Sequence, residues 1–136
     1  MATSTYTKFQ CFVEDLAEKK HNLASDTLKV ALTNTAPTAS GTTKLADLTG
    51  GITSGFDGMT ITTSSSGQTS GTYKLVLADL TMTASGSVGP FRYVVIYNDS
   101  ATNKEVICFF DYSSEVTLAS GDTFKLDFGT ELFSLA

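Results

Sequence analysis

The chain contains one histidine, His21, as its candidate for acid–base chemistry or metal binding. A general base must lie within hydrogen-bond reach of its proton donor, and a metal site needs further ligands at regular spacing. No cluster of His and Cys supplies such ligands. Ser and Asp are plentiful, but no G-x-S-x-G turn presents a serine as the nucleophile of a Ser-His-Asp triad. We therefore interpret His21 as a residue near a helix C-terminus, favoured there by the helix dipole.

Four carboxylates flank the most apolar part of the chain: Asp99, Glu105, Asp111 and Glu115. A glycosidase places two such groups on opposite sides of the scissile bond. Nothing in the spacing selects two of the four, and charges at strand ends usually face solvent. The sequence has neither an EF-hand calcium loop nor a phosphate-binding P-loop. We predict no catalytic residue, no metal and no cofactor, and that the protein is not an enzyme.

Aromatic residues are better candidates for recognition at the surface. Tyr6, Tyr93, Tyr97 and Tyr112 could form a platform on which sugars stack, as in carbohydrate-binding β-sandwiches. Tryptophan, the strongest stacking side chain, is absent. Three of the four tyrosines lie in segments with the pattern of core strands, so we interpret Tyr93, Tyr97 and Tyr112 as core residues. A glycan-binding role remains as an alternative.

Composition limits the classes of partner. A chain of 136 residues suits one domain with its own core, and a hydrophobic content of 41% is that of a folded protein. Charged residues make up 17%, and the formal net charge is −5. This charge disfavours binding to nucleic acid and to anionic membranes. The low charge, with abundant Ser, Thr and Gly, suggests a surface partly covered by neighbouring proteins.

Neither a signal peptide nor an apolar run long enough for a membrane helix is recognisable. Cys11 falls on the polar side of a predicted helix, whereas Cys108 lies in a predicted core strand. We therefore expect two free cysteines and synthesis in a reducing cytoplasm.

One amphipathic helix is predicted over Thr7–Lys20. Its apolar stripe consists of Phe9, Phe12, Val13, Leu16 and Ala17, which recur at helical spacing. A single helix of this kind has no helical partner, so we expect the stripe to pack against strands. Residues 1–6 precede it as a short polar arm.

Two segments, Phe91–Tyr97 and Val106–Phe110, are apolar at nearly every position and are separated by the polar run Asn98–Lys104. Runs of β-branched and aromatic residues bounded by turn formers predict a β-hairpin. Strands that are apolar on both faces need cover on both faces. The predicted core comprises Phe91, Tyr93, Val95, Ile107, Phe109, Phe124, Leu126 and Phe128.

Shorter strands account for much of the remainder. Apolar residues alternate at 28–32 and at 124–128, and Thr72–Thr83 changes phase near Ala78, which predicts a bulge or bend. Asn34–Gly58 and Thr63–Gly71 are predicted loops. One helix followed by about seven short strands predicts a mainly β fold, a jelly-roll-like β-sandwich over residues 7–128 with a tail at 129–136.

Three segments together carry a resemblance: TYTKFQCFVEDLAEKKHNL, DTLKVALTNTAPTAS and GPFRYVVIYNDSATNKEVICFFDY. They are similar to a family of small structural proteins of tailed-bacteriophage virions, over most of the chain. The resemblance implies a phage virion protein, located in the virion and assembled in the host cytoplasm. It does not choose between the capsid and the neck or tail.

Our first hypothesis is a capsid decoration (cement) protein that binds the outer face of the major capsid protein lattice as a homo-oligomer. The alternatives are a neck or tail component and a glycan-binding module of the virion. Termini and long loops carry contacts on a rigid scaffold. The candidate partner-contact residues are Thr5, Tyr6, Pro37, Phe56, Gln68, Leu132 and Phe133.

Overall fold

The computed structural model describes residues 4–48 and 59–136. Within these ranges the chain forms antiparallel β-sheets and one α-helix. The elements are β1 (Thr5–Lys8), α1 (Cys11–Ala17), β2 (Leu28–Thr33), a short 3-10 helix (Leu45–Asp47), β3 (Met59–Ile61), β4 (Thr63–Thr69), β5 (Thr72–Leu77), β6 (Leu80–Thr83), β7 (Val88–Asn98), β8 (Val106–Leu118), β9 (Thr123–Leu126) and β10 (Phe133–Leu135). No helix in the described ranges is long and apolar enough to cross a membrane.

The strands form two layers. The first is a five-stranded sheet in the order β1-β8-β7-β2-β3. The second layer contains two smaller sheets, β10-β5-β4 and β6-β9. The chain passes directly from one to the other, because only Ala78 and Asp79 separate β5 from β6. Side chains from both layers, including Ile96 and Leu75, form the main hydrophobic cluster. The bend predicted near Ala78 is confirmed, since β5 and β6 pair with different strands.

The predicted central hairpin is confirmed as β7 and β8, which pair antiparallel. Val94 and Ile96 of β7 face the main cluster, whereas Val95 and Tyr97 face a second cluster on the other side of the sheet. Both faces of this strand are therefore covered, as its apolar pattern predicts. Of the eight predicted core residues, Tyr93 and Phe124 are only partly buried, and the other six are buried.

The prediction of a loop over Thr63–Gly71 is wrong for most of its length, because Thr63–Thr69 forms β4 and pairs with β5. Its serines and glycine have low strand propensity, but β4 lies at the edge of its sheet and is largely exposed. Pairing with the apolar strand β5 supplies the stability that the local composition lacks. Only the turn at Ser70 and Gly71 is loop.

The helix is shorter than predicted. It spans Cys11–Ala17 and has no side-chain hydrogen bond at its N-terminus. Phe9 and Phe12 are buried, as predicted, but Val13 is 55% exposed. Phe9 lies before the helix, where its backbone N–H still donates to Ile107 of β8. Tertiary pairing with β8 therefore overrides helical periodicity in this segment.

Neither end of the described chain is a free extension. Thr5 and Tyr6, which were predicted to belong to a polar arm, lie in β1 and pair with β8. The predicted tail contains β10, which pairs with β5, and Leu132 is buried. The predicted domain boundary at residue 7 therefore divides β1, and the boundary at residue 128 separates β10 from its partner β5. Amphipathic alternation cannot identify such short strands, because three or four residues do not establish a period.

Deleting residues 1–6 should lower the free energy of unfolding by about 1–3 kcal/mol. The deletion removes half of β1 and the contact of Tyr6 with Phe110, whose ring centroids are 5.5 Å apart. Urea denaturation of the truncated chain measures the loss. An unchanged midpoint would show that β1 adds nothing to the sheet.

Candidate functional site

The two layers are joined along one side and open along the other. At the joined side, β3 of the large sheet continues directly into β4 of the second layer, and the backbone N–H of Ala78 donates to Thr62 between them. At the opposite side, β1 is the outer strand of the large sheet, and β9 pairs only with β6 among the described strands. Helix α1 covers part of this side, where Phe12 contacts Phe133 of β10.

The remaining part of the open side is a cavity of about 480 Å³, which we call the aromatic groove. Its apolar wall comes from β7, β8 and the segment that begins with β9, and consists of Val94, Phe110, Tyr112, Phe124, Leu126 and Phe128. The groove is therefore built where distant parts of the chain meet, and alternation along β9 directs Phe124 and Leu126 toward it.

Ring contacts organise this wall. Phe110 lies between Tyr6 and Phe128, at centroid distances of 5.5 and 6.4 Å. Tyr112 meets Phe124 at 5.8 Å with the ring planes inclined by 62°. Edge-to-face contacts of this kind hold aromatic side chains in defined orientations. The groove is thus a preformed surface with an apolar floor.

Polar residues line the mouth of the aromatic groove. Ser4, Thr123, Lys125 and Asp127 belong to its lining. Lys125 also lies 3.5 Å from a carboxylate oxygen of Asp79, an ion pair between exposed side chains. An apolar floor with a polar rim is found both in protein interfaces and in small-molecule pockets.

The candidate contact residues do not gather at one surface. Thr5 and Tyr6 lie in β1, beside the aromatic groove, because Tyr6 packs on Phe110. Gln68 lies at the exposed end of β4, and Pro37 lies in the segment between β2 and the 3-10 helix.

The other candidate contact residues behave differently. Phe56 falls outside the described residues. Leu132 is buried within its own chain, so it presents no surface to a partner. Phe133 is partly buried and packs against Phe12 and Tyr73, at ring-centroid distances of 5.3 and 6.0 Å.

The four tyrosines do not form one platform. Tyr97 is 5% exposed and belongs, with the partly buried Tyr93, to the second hydrophobic cluster. Tyr6 and Tyr112 lie on the side of the aromatic groove. The core interpretation is confirmed for Tyr97, and Tyr112 instead lines a cavity. The sequence signal for the groove was the alternation of Phe124, Leu126 and Phe128, which by itself predicts only core packing.

The flanking carboxylates are engaged in local contacts. Asp111 accepts two hydrogen bonds from the Arg92 guanidinium, at 2.7 and 3.1 Å, and these lower its pKa. Asp99 forms ion pairs with Lys29 and Lys104, which lower its pKa. Neither carboxyl group has the raised pKa of a general acid.

The remaining two carboxylates have similar roles. Glu115 accepts a hydrogen bond from the Asn34 side chain at 2.9 Å, and Glu105 accepts one from the Asn103 backbone at 2.8 Å. No group of three or more His, Cys, Asp or Glu that could hold a metal ion occurs in residues 4–48 and 59–136.

The two cysteines are free. Cys11 is half-buried rather than on an exposed helix face, and burial together with the nearby Asp15 raises its pKa to about 11. Burial also raises the pKa of Cys108, which is fully buried. Both thiols are therefore protonated at neutral pH and are poor nucleophiles.

The prediction that His21 lies near a helix C-terminus is wrong. Helix α1 ends at Ala17, and His21 is only 5% exposed. It contacts Asn98, which is 77 residues away in the sequence. A second cavity of about 450 Å³ lies beside it, with Leu16, Leu23 and Tyr73 among its lining residues. Sequence periodicity carries no signal for a contact over this separation.

A scan against protein-family models and searches of curated proteins and of solved structures found no match to this chain.

Proposed function

We propose that the protein is a capsid decoration protein of a tailed bacteriophage, which binds the outer face of the major capsid protein lattice and stabilises the shell. The assignment to a virion rests on the resemblance of the opening segment, the LKVALTNTAP segment and the GPFRYVVIYND hairpin to phage structural proteins. We also propose that the two layers are a jelly-roll-like β-sandwich, with homo-oligomers as the form that binds.

The observation that carries the proposal is the aromatic groove. Partly buried Phe110, Tyr112 and Phe124 line a cavity that the described chain does not fill. Aromatic residues surrounded by a polar rim are typical of the energetically important centre of a protein interface. We therefore place the capsid contact at this open side.

Edge strands add a second means of attachment. An outer strand presents unpaired backbone N–H and C=O groups, which an extended segment of another protein can pair with. Strand β1 is such an edge, and Tyr6 on it is 37% exposed. The neutral Thr5 and Thr7 beside it carry no charge that an interface would have to desolvate.

Attachment to a lattice does not need tight individual contacts. Each copy that binds only the assembled shell stabilises that shell by mass action. Copies linked in an oligomer bind several lattice positions together, which multiplies their effective affinity. A rigid β domain with one interacting side suits this role.

The test is co-sedimentation with expanded empty capsids that lack this protein. Thr123→Arg places a long charged side chain at the groove, and we expect it to weaken binding at least about tenfold, which corresponds to about 1.4 kcal/mol. Thr60→Arg is the matched control, because Thr60 is an exposed threonine of β3, at the other end of the large sheet. It should bind like the unmodified protein.

The copy number on the shell distinguishes the related alternatives. A number that matches the capsomer lattice supports the decoration role. A ring-sized number, or binding only to necks or tails, would contradict it and support a neck or tail component. Equal binding by both threonine variants would remove the groove from the interface.

A further inference from the structure

His21 lies in a buried polar cluster separate from the aromatic groove. It follows α1, is 5% exposed and has its ring centroid 5.3 Å from that of Phe12. Its Nδ1 atom lies 2.9 Å from Nδ2 of Asn98, the last residue of β7, which is completely buried. This contact joins the segment after α1 to the turn between β7 and β8.

The hydrogen bonds of Asn98 determine which way its amide points. Its Oδ1 accepts from the backbone N–H groups of Ser100 and Ala101, at 2.9 and 3.2 Å. Its Nδ2 donates to Asp26 at 2.6 Å. If the amide were flipped, its NH₂ group would face the N–H groups of Ser100 and Ala101, and its oxygen would face the carboxylate of Asp26. Nδ2 must therefore face His21. Nδ1 of His21 is therefore an acceptor, and the neutral ring carries its proton on Nε2.

Charged groups approach His21 from several elements. Asp15 comes from α1, Lys20 from the residues after α1, Asp26 from the segment before β2 and Glu105 from the residue just before β8. The three carboxylates favour a protonated imidazole and Lys20 opposes it. Burial exceeds these effects and lowers the pKa of His21 below its ordinary value.

Two buried polar atoms in this described region make no hydrogen bond. Oδ2 of Asp15 and Nε2 of His21 are both buried and have no hydrogen-bond partner in the described part of the chain. Oδ1 of Asp15 contacts Lys20 at 3.1 Å. A second proton, on Nδ1 of the ring, would face the Nδ2 donor of Asn98.

We propose that His21 is a pH-sensitive switch that holds the segment of residues 18–27 against the β7–β8 turn. Protonation at Nδ1 sets an imidazolium donor against the Nδ2 donor of Asn98, which cannot turn without losing three hydrogen bonds. The contact then opens. Two further hydrogen bonds across the same contact, from Asp99 N–H to Thr27 and from Thr27 N–H to Ser100, report on the opening.

The direction of the effect follows from linkage. In the open state His21 has its ordinary pKa of about 6.5, and in the closed state the pKa is lower. The open state therefore binds more protons as the pH falls below about 6.5. The closed contact is fully stable above that pH and loses stability as the pH falls toward the closed-state pKa. Each unit of pKa difference raises the opening constant by up to about tenfold.

The single histidine makes the first test direct, because its NMR signals need no assignment among histidines. Nitrogen shifts of the imidazole at pH 8 should show the proton on Nε2, and the ring titration should have its midpoint below about 6.5. A proton on Nδ1, or a midpoint at or above 6.5, would overturn the proposal.

Hydrogen exchange between pH 7.5 and pH 5 tests the opening itself. After correction for intrinsic exchange rates, protection of the Thr27 and Asp99 amides should fall at the lower pH. The control is His21→Asn, whose Oδ1 occupies nearly the position of Nδ1 and accepts from Asn98 but does not titrate. Its protection should be independent of pH in this range. The same pH dependence in both proteins would assign the effect to another group and overturn the switch.

Discussion

Replacing Phe12 by alanine should lower the free energy of unfolding by about 3–5 kcal/mol, the range measured for fully buried aromatic residues. Phe12 is 1% exposed, and its ring packs against Phe133 at 5.3 Å. The substitution leaves a cavity between α1 and β10, on the side where the two layers are otherwise open. Chemical denaturation at pH 7.5 measures the effect.

Val13→Ala is the matched control for Phe12→Ala. Val13 is the next residue of the same helix and is 55% exposed. Its truncation removes little buried surface, so the free energy of unfolding should change by less than about 0.5 kcal/mol. Equal losses in both variants would mean that helix formation, rather than packing of Phe12, limits the stability of this region.

Gly89→Ala should produce the second large loss of stability. Gly89 has a φ of +125°, and an added Cβ would lie 2.5 Å from the Val116 carbonyl oxygen and 2.9 Å from Cα of Thr117. Backbone strain and overpacking each cost about 1–3 kcal/mol. Both atoms belong to β8, and its backbone cannot move away from Gly89 without breaking the β7–β8 pairing. Thermal and urea unfolding should show the loss.

Gly71→Ala separates these two costs. Gly71 also has a positive φ, +84°, but an added Cβ there has nothing within 4 Å. It therefore carries the backbone strain without the clash, and its loss should be clearly smaller than that of Gly89→Ala. A Gly71 variant that is destabilised as much as the Gly89 variant would show that the close approach to β8 contributes nothing.

Much of the fold could be predicted from the sequence where its pattern is strong. The continuous apolar runs that flank Asn98–Lys104 predicted a hairpin covered on both faces, and β7 and β8 have this arrangement. The phase change near Ala78 predicted the bend between β5 and β6. These features depend on the order of side chains along a short segment, which determines the faces that a strand must bury.

Short strands at the sheet edges depended on partners elsewhere in the chain. The segments Thr5–Lys8, Thr63–Thr69 and Phe133–Leu135 became strands because β8 and β5 offered pairing. These segments are too short or too polar to show the alternation of apolar and polar residues that indicates a strand. Tertiary pairing also shortened the helix, because the backbone N–H of Phe9 donates to Ile107 of β8 instead of joining the helix.

The sequence by itself predicted a β-rich core and an amphipathic helix, and the described residues contain both. Only the tertiary structure brought Phe110 and Phe124 together in the aromatic groove and placed His21 against Asn98. Both arrangements join residues far apart in the sequence. Local periodicity specifies which face of an element is apolar, whereas the packing of the two layers decides which apolar and polar groups meet.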